Sequence, residues 1–120
     1  MPNTGPSLDE APLTQIGQPE LDAFVAQETA FREGRRTLRC RTVAEGHLRQ
    51  MNYVRDLKPY AIEERIGPKE DDAAPTPSEA LLAALGSCLS VGIHANAVAR
   101  SIPIRTLHFD LETDLDSTGV

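Results

Sequence analysis

The sequence is poor in the residues that build aromatic or disulfide-linked cores. It contains no tryptophan, 4% aromatic residues and two cysteines among 120 residues. Two cysteines cannot form the disulfide framework of a small secreted domain, so we expect both thiols to be reduced. Hydrophobic residues still make up 40% of the chain. The composition therefore predicts one domain with an aliphatic core.

Basic residues are also scarce, with 12 against 18 acidic residues and a formal net charge of −6. A negative field disfavours binding to nucleic acid or to anionic lipid. The apolar stretches are shorter than the ~20 residues of a membrane span. Residues 1–10 lack the basic flank and apolar run of a signal peptide. We therefore expect a cytoplasmic protein that binds neither nucleic acid nor membrane.

The basic residues are concentrated in one segment. Residues 32–58 contain eight of them and only three acidic residues. Cross-strand pairing is one interpretation, for example of Arg39 and Arg41 with Asp110 or Glu112. An anion site or a partner surface is the other. Charge runs usually belong to solvated surfaces, which favours the first interpretation.

The N-terminal part predicts a flexible arm followed by a helix. Residues 1–19 contain four prolines and two glycines, a composition typical of a mobile segment. Residues 20–33 have apolar side chains at helical spacing, and Gly34 is a stop signal. We therefore divide the chain into an arm, residues 1–19, and one domain, residues 20–120.

Alternating side chains predict a small sheet. Residues 36–43 and 47–55 alternate between apolar and polar, with Glu45-Gly46 between them, which indicates a β-hairpin. Residues 60–66 predict a third short strand. Residues 104–115 alternate over a longer stretch and predict a strand with one face on a core and one in water.

The strongest helix signal begins at Thr76. Pro77 suits the first helical position, and Thr76 with Glu79 forms a capping-box pattern, in which each side chain bonds the other's backbone N–H. Residues 80–99 are almost all apolar and small. A helix that is apolar on all sides is normally buried, so we expect a central core helix.

Cys88, in the middle of this helix, has two interpretations. Small apolar neighbours suit a structural thiol that packs as a small hydrophobe. A reactive thiol would need a cation or N–H donors to lower its pKa, and an arginine of the basic hairpin is the plausible source. Cys40 alternates with two arginines and is expected to pack. The three histidines lack metal-ligand spacing, and we expect no metal or cofactor.

Residues 74–116, APTPSEALLAALGSCLSVGIHANAVARSIPIRTLHFDLETDLD, closely resemble the OsmC/Ohr family, in particular its general OsmC-like subgroup. The shared pattern is a proline-containing helix start, the run Leu-Leu-Ala-Ala-Leu-Gly-Ser-Cys and a strand ending in Asp-Leu-Asp. The resemblance implies an α+β fold, in which a curved antiparallel sheet wraps a long buried central helix. It also implies an intertwined homodimer.

The resemblance implies a stress-response function, the thiol-dependent reduction of organic hydroperoxides. Cys88 matches the peroxidatic cysteine, whose thiolate attacks the peroxide and becomes a sulfenic acid. Dithiols would supply the reducing equivalents, and no metal or haem is implied.

The chain departs from the family pattern at the positions of the family's activating residues. Peroxidase members begin the helix with Asn-Pro-Glu, and that glutamate orients an arginine beside the thiolate. Ser78 occupies the glutamate position here, and Glu79 lies one residue later. Arg49 is the nearest candidate for the arginine, which the family carries in a Gly-Gly-Arg turn. Glu79 and Arg49 are therefore our candidate partners of Cys88.

Two further departures lie near the end of the matched segment. Ser101 stands where the family usually has a helix-ending glycine. The family fold continues beyond the Asp-Leu-Asp strand with its resolving cysteine, whose position Cys40 does not match. We therefore expect the sequence to be the N-terminal portion of the fold or to lack a resolving thiol. We also expect the helix and strand faces to need a second copy or another polypeptide to cover them.

Two other functions remain open from the sequence. A non-catalytic OsmC-like module could hold a small apolar ligand near Cys88, and the missing partner residues favour this alternative. A structural or interaction domain, with Cys88 only packing, is the third. The reactivity of the Cys88 thiol would distinguish the first function from the other two.

Overall fold

A computed structural model describes residues 5–30, 35–67, 73–116 and 118. The described residues form two α-helices and a three-stranded antiparallel sheet, which confirms the predicted α+β class. The chain divides into two units. The first combines Met1–Ala30 with Ala84–Val120, and the second is Phe31–Ala83.

The sheet lies in the second unit and has the strand order β1-β2-β3, with β1 at Arg41–Gly46, β2 at Arg49–Tyr53 and β3 at Tyr60–Glu63. Both neighbouring pairs are antiparallel. The predicted hairpin and third strand are therefore confirmed. The first strand begins later than predicted, because residues 36–40 have no strand structure.

The hairpin turn lies two residues beyond the predicted Glu45-Gly46. Both of those residues belong to β1, and the chain reverses at His47 and Leu48. These two residues have φ angles of 55° and 58°. Positive φ at both central residues is the type I′ geometry, whose twist matches that of the flanking strands. The sequence does not signal this turn, because type I′ turns favour Gly, Asn and Asp and neither residue is one of these.

A β-bulge explains the shifted turn. Ala44 pairs with Gln50 and Gly46 pairs with Arg49, so Glu45 is the extra residue on β1. Gly46 has a φ of 109°, a conformation that side chains rarely adopt. The positive φ of Gly46 is therefore part of the bulge and not of the two-residue turn that follows it.

Helix α2 spans Pro77–Ala99, as the start signal predicts. The Thr76 N–H donates to Glu79 Oε1 at 2.9 Å, and the Glu79 N–H donates to Thr76 Oγ1 at 3.2 Å. The predicted capping box is confirmed. It satisfies two backbone donors that would otherwise lack a partner at the start of the helix.

The C-terminal end of α2 is a Schellman motif. The Ile102 N–H donates to Ala97 O at 2.8 Å, and the Ser101 N–H donates to Val98 O at 3.1 Å. The backbone of Ser101 adopts the left-handed conformation, with φ of 54°. This is the position at which helices favour glycine. Ser101 therefore adopts the backbone conformation that the family's glycine would suit.

The predicted burial of α2 is wrong for this chain. Ala97 is its one buried residue in the described structure. Leu81 is 72% exposed and Val91 is 61% exposed. The described residues do not supply enough apolar surface to cover a helix of 23 residues. The wrapping of a sheet around this helix is likewise a prediction that the described residues do not establish.

The predicted strand at residues 104–115 is also wrong. These residues, all described, form no strand. Exposure nevertheless alternates as predicted from 107 to 112, and Leu111 approaches Gly86 so closely that a Cβ there would lie 2.9 Å from Leu111 Cδ1. Leu115 breaks the pattern and is 70% exposed. A strand needs a neighbouring strand, and no strand of the described residues pairs with this segment.

Helix α1 spans Gln18–Thr29 and confirms the predicted helix, two residues earlier than expected. Its buried residue is Leu21. The predicted end of this helix, with its stop at Gly34, lies outside the described residues. A 3₁₀ turn at Leu8–Glu10 precedes α1.

The residues before α1 make hydrogen bonds to the segment after α2. The Leu13 N–H donates to Arg105 O at 2.8 Å. The Gln15 amide donates to Ile102 O at 3.1 Å and accepts from the Ile104 N–H at 2.9 Å. These contacts give residues 13–15 defined partners. The predicted mobility of residues 1–19 and the domain boundary at residue 20 stay predictions.

We predict that Ser101→Gly stabilises the protein by about 0.5–1 kcal/mol. Glycine lacks the Cβ that makes the left-handed conformation unfavourable, and this gain exceeds the entropy that glycine loses on folding. Urea unfolding followed by far-ultraviolet circular dichroism measures the free energy of unfolding.

The matched control is Ser90→Gly in the interior of α2. The same substitution there should lower the free energy of unfolding, because glycine is unfavourable in a helix interior. Equal destabilisation by both substitutions would contradict the role assigned to the φ angle of Ser101.

Candidate functional site

Cys88 lies in the middle of α2 with an exposed, unpaired thiol. The interpretation of Cys88 as a packing residue assumes burial, and the structure does not provide it. Leu85 and Val91, three residues away on either side, are also exposed. Residues at this spacing are neighbours on a helix surface. The thiol therefore lies on an exposed apolar stripe of α2 and is open to a small reactant. Cys40 is exposed as well, so its expected packing is wrong.

Arg49, the candidate activating residue, is engaged within the sheet. Its guanidinium lies 3.0 Å from Glu63 Oε2 and 3.4 Å from Glu45 Oε1. Arg49 and Glu63 are directly opposite each other on β2 and β3, and the bulge residue Glu45 completes the cluster. Cross-strand pairing thus accounts for this arginine. Its role as the activating partner of Cys88 stays a prediction.

Glu63 is the residue of this cluster that sequence reasoning did not single out. Its hydrogen bond from Arg49 holds the pKa of the carboxyl below its usual 4.5, with further lowering by the Ala73 N–H and by the charge of Arg49. The Ala73 N–H lies 3.2 Å from Glu63 Oε1, and the Glu63 N–H donates to Pro75 O at 3.0 Å. Glu63 therefore ties β3 to β2 and to the segment that leads into α2. Its signal in the sequence was only an acidic residue within the predicted third strand.

Glu79, the second candidate partner, has its carboxylate in the capping box with Thr76. Its catalytic role also stays a prediction. Arg49 and Glu79 belong to one unit of the chain and Cys88 belongs to the other. The structure thus gives both candidate partners local contacts of their own.

His94 has a structural contact. Its Nε2 accepts a hydrogen bond from the Ile16 N–H at 3.1 Å. This contact joins the segment before α1 to the C-terminal half of α2. Among the described residues there is no group of three or more His, Cys, Asp or Glu that could hold a metal ion. The expectation that the protein needs no metal stays a prediction.

A cleft of about 350 Å³ lies between α1 and the C-terminal half of α2, within the first unit. Sequence reasoning did not find it, because no motif reports the packing of two distant helices. Its α2 wall begins at Val91, three residues after Cys88. The lining residues are Ile16, Glu20, Leu21, Phe24, Val91, His94 and Ala95.

The segment with the helix and the exposed thiol has a known counterpart. Residues 69–120 match the family model for OsmC-like proteins. This OsmC-like segment contains Cys88 and Ser101 and confirms the resemblance over less than half of the chain. No curated protein and no solved structure matches the chain.

Within the OsmC-like segment, α2 corrects one expectation from the sequence. By length and composition it is apolar enough to cross a membrane, although the shorter apolar stretches had argued against any such segment. The core helix of a soluble protein passes the same test. The cytoplasmic location and the absence of membrane binding therefore stay predictions.

We predict that Glu63→Gln makes stability less dependent on pH in the acidic range. The lowered pKa of Glu63 means that its carboxylate stabilises the folded state at pH values above its usual 4.5. This stabilisation is lost as the pH falls through the lower pKa of the folded state. The measurement is the free energy of unfolding in urea between pH 6 and pH 3.

Glu64→Gln is the matched control, because it removes the adjacent carboxylate, which is exposed. The parent and Glu64→Gln should lose stability on acidification more steeply than Glu63→Gln. Identical profiles for all three proteins would contradict the role of Glu63.

Proposed function

We propose that this protein is a thiol-dependent peroxidase that reduces organic hydroperoxides, with Cys88 as the nucleophile. The observation that carries the proposal is the OsmC-like match over a segment whose cysteine is exposed on α2. Exposure and a free thiol are the first requirements of a peroxide-reducing cysteine.

The proposed reaction consists of peroxide reduction by Cys88 and regeneration of its thiol by a dithiol. The Cys88 thiolate attacks the distal peroxide oxygen, the O–O bond breaks, and the alcohol leaves after taking up a proton. The cysteine is oxidised to sulfenic acid as the hydroperoxide is reduced. A dithiol then forms a mixed disulfide and releases water, and its second thiol restores the Cys88 thiol as the dithiol becomes a disulfide.

Arg49 is the proposed source of the positive charge that would favour the thiolate. A cation near a cysteine lowers the pKa of its thiol. In the described structure this arginine is paired with Glu63 and Glu45. Activation therefore requires that its guanidinium exchange these carboxylates for the thiolate, with Glu79 as the candidate residue that orients it.

A homodimer is part of the proposal. On the N-terminal side of Cys88, helix α2 also exposes Leu81 and Leu85. Contiguous apolar surface of this kind is typical of a surface that another polypeptide covers. A second copy of the chain, bound through Leu81 and Leu85, would remove these two side chains from water.

We predict that the protein is a dimer at micromolar concentration and that Leu85→Lys makes it monomeric. A charge in the centre of the apolar stripe opposes burial. Sedimentation velocity measures the mass in solution. Leu38→Lys is the control, since Leu38 is exposed and lies outside α2. A parent chain that stays monomeric, or equal effects of both substitutions, would contradict the proposed interface.

A non-catalytic binding module is the second candidate. The observation that favours it is that Arg49 and Glu79 already have partners in the sheet and the capping box. In this case Cys88 would lie beside a bound apolar ligand without reacting.

Trapping with dimedone separates the two functions. We predict that one equivalent of an organic hydroperoxide converts Cys88 to a sulfenic acid, which dimedone captures as an adduct seen by intact mass. Cys40→Ser should form the adduct as fast as the parent, and Cys88→Ser should form none. Two free thiols without any adduct would reject the peroxidase and leave the binding module.

A further inference from the structure

The cleft between α1 and α2 has the shape of a small-molecule site. Leu21 is buried and forms its floor, whereas Phe24 and Val91 form exposed walls. The volume of about 350 Å³ lies within the range of ligand pockets. Apolar walls that are wet in the free protein favour a ligand with an apolar body, because binding removes that surface from water.

The charge of the lining residues indicates which charge the polar group of the ligand should carry. Glu20 is the one acidic residue among the described lining residues, which include no lysine or arginine. Glu20 Oε1 caps the Gly17 N–H at 3.4 Å. The Glu20 side chain is exposed and lines the cleft. A carboxylate beside an apolar cleft favours a cationic group over an anionic one.

The net negative charge of the unit that contains the cleft strengthens this preference for a cationic ligand. Met1–Ala30 and Ala84–Val120 together bear nine acidic and two basic residues, a formal charge of −7. The rest of the chain bears ten basic and nine acidic residues. Clefts in a field of one sign concentrate ligands of the opposite sign. The negative charge of the protein is thus concentrated in the unit that forms the cleft.

We propose that this cleft binds a small organic cation, namely a primary amine with an apolar body. The ammonium group pairs with Glu20, and the body packs between Phe24 and Val91 over Leu21. The site is independent of the thiol of Cys88, which does not line the cleft.

The test is an NMR titration of the full chain with hexylamine, hexanoate and hexanol, all at pH 7. Hexylamine should bind more tightly than hexanol, and hexanoate should bind most weakly. Glu20→Gln should weaken hexylamine binding roughly two- to fivefold, the range of an exposed ion pair, and leave hexanol unchanged. Asp22→Asn removes an equal charge from α1 outside the cleft and should have a smaller effect.

Filling the cleft tests its location. Ala95→Leu places a larger side chain in the cleft and should abolish binding of hexylamine, while circular dichroism confirms that the helices persist. Val91→Phe fills the cleft from the adjacent turn of α2 and is the alternative variant for this test if Ala95→Leu unfolds. Equal affinities for hexylamine and hexanoate, absence of hexylamine binding to the parent, or unchanged binding to a folded filled variant would each overturn the proposal.

Discussion

The apolar surface of α2 is the constraint on which the rest of this structure depends. The helix is 23 residues long and is held open to water along a stripe that includes Leu81 and Val91. Burial of such surface is the main favourable contribution to folding and association. The described residues cover only part of it, through contacts such as that of Gly86 with Leu111. The proposed dimer would cover the exposed Leu81 and Leu85, and the thiol of Cys88 is exposed further along the same helix.

The ion pairs of Arg49 are a second constraint, because the same guanidinium pairs with carboxylates in the sheet and would have to stabilise the Cys88 thiolate in the proposed reaction. In the sheet it neutralises Glu63 and Glu45, and Glu63 in turn binds the segment that precedes α2. In the proposed reaction the same arginine would serve the thiolate of Cys88. The stability of the sheet and the activation of the thiol would then compete for one charge. A peroxidase with this arrangement would pass through a state in which Glu63 loses the guanidinium of Arg49 and keeps the Ala73 N–H.

The charges of this chain are divided unevenly between its two units. The acidic unit surrounds the cleft beside α1, whereas the sheet unit has nearly balanced charges. The total of −6 that the composition reports hides this division. The overall charge therefore predicts that nucleic acid is not a partner, but it does not indicate where a cation could bind. The cleft adds a ligand class that does not depend on the chemistry of the thiol.

Local signals in the sequence determined the elements whose stability is local. The Thr76, Pro77 and Glu79 pattern predicted the start of α2, because a capping box closes within four residues. Alternation predicted the hairpin, and the family motif around Cys88 predicted the match at residues 69–120. These features need few contacts with distant parts of the chain, so the sequence alone was sufficient for them.

Tertiary structure decided whatever required a distant partner. Residues 104–115 alternate like a strand, yet a strand forms only beside another, and no strand of the described residues pairs with them. The reversal at His47 and Leu48 depends on the bulge at Glu45, and the pairing of Arg49 with Glu63 depends on the register of two strands. The cleft beside His94 exists only because α1 packs near α2. Sequence periodicity indicates which face of an element is apolar, but only the packed chain determines what covers that face.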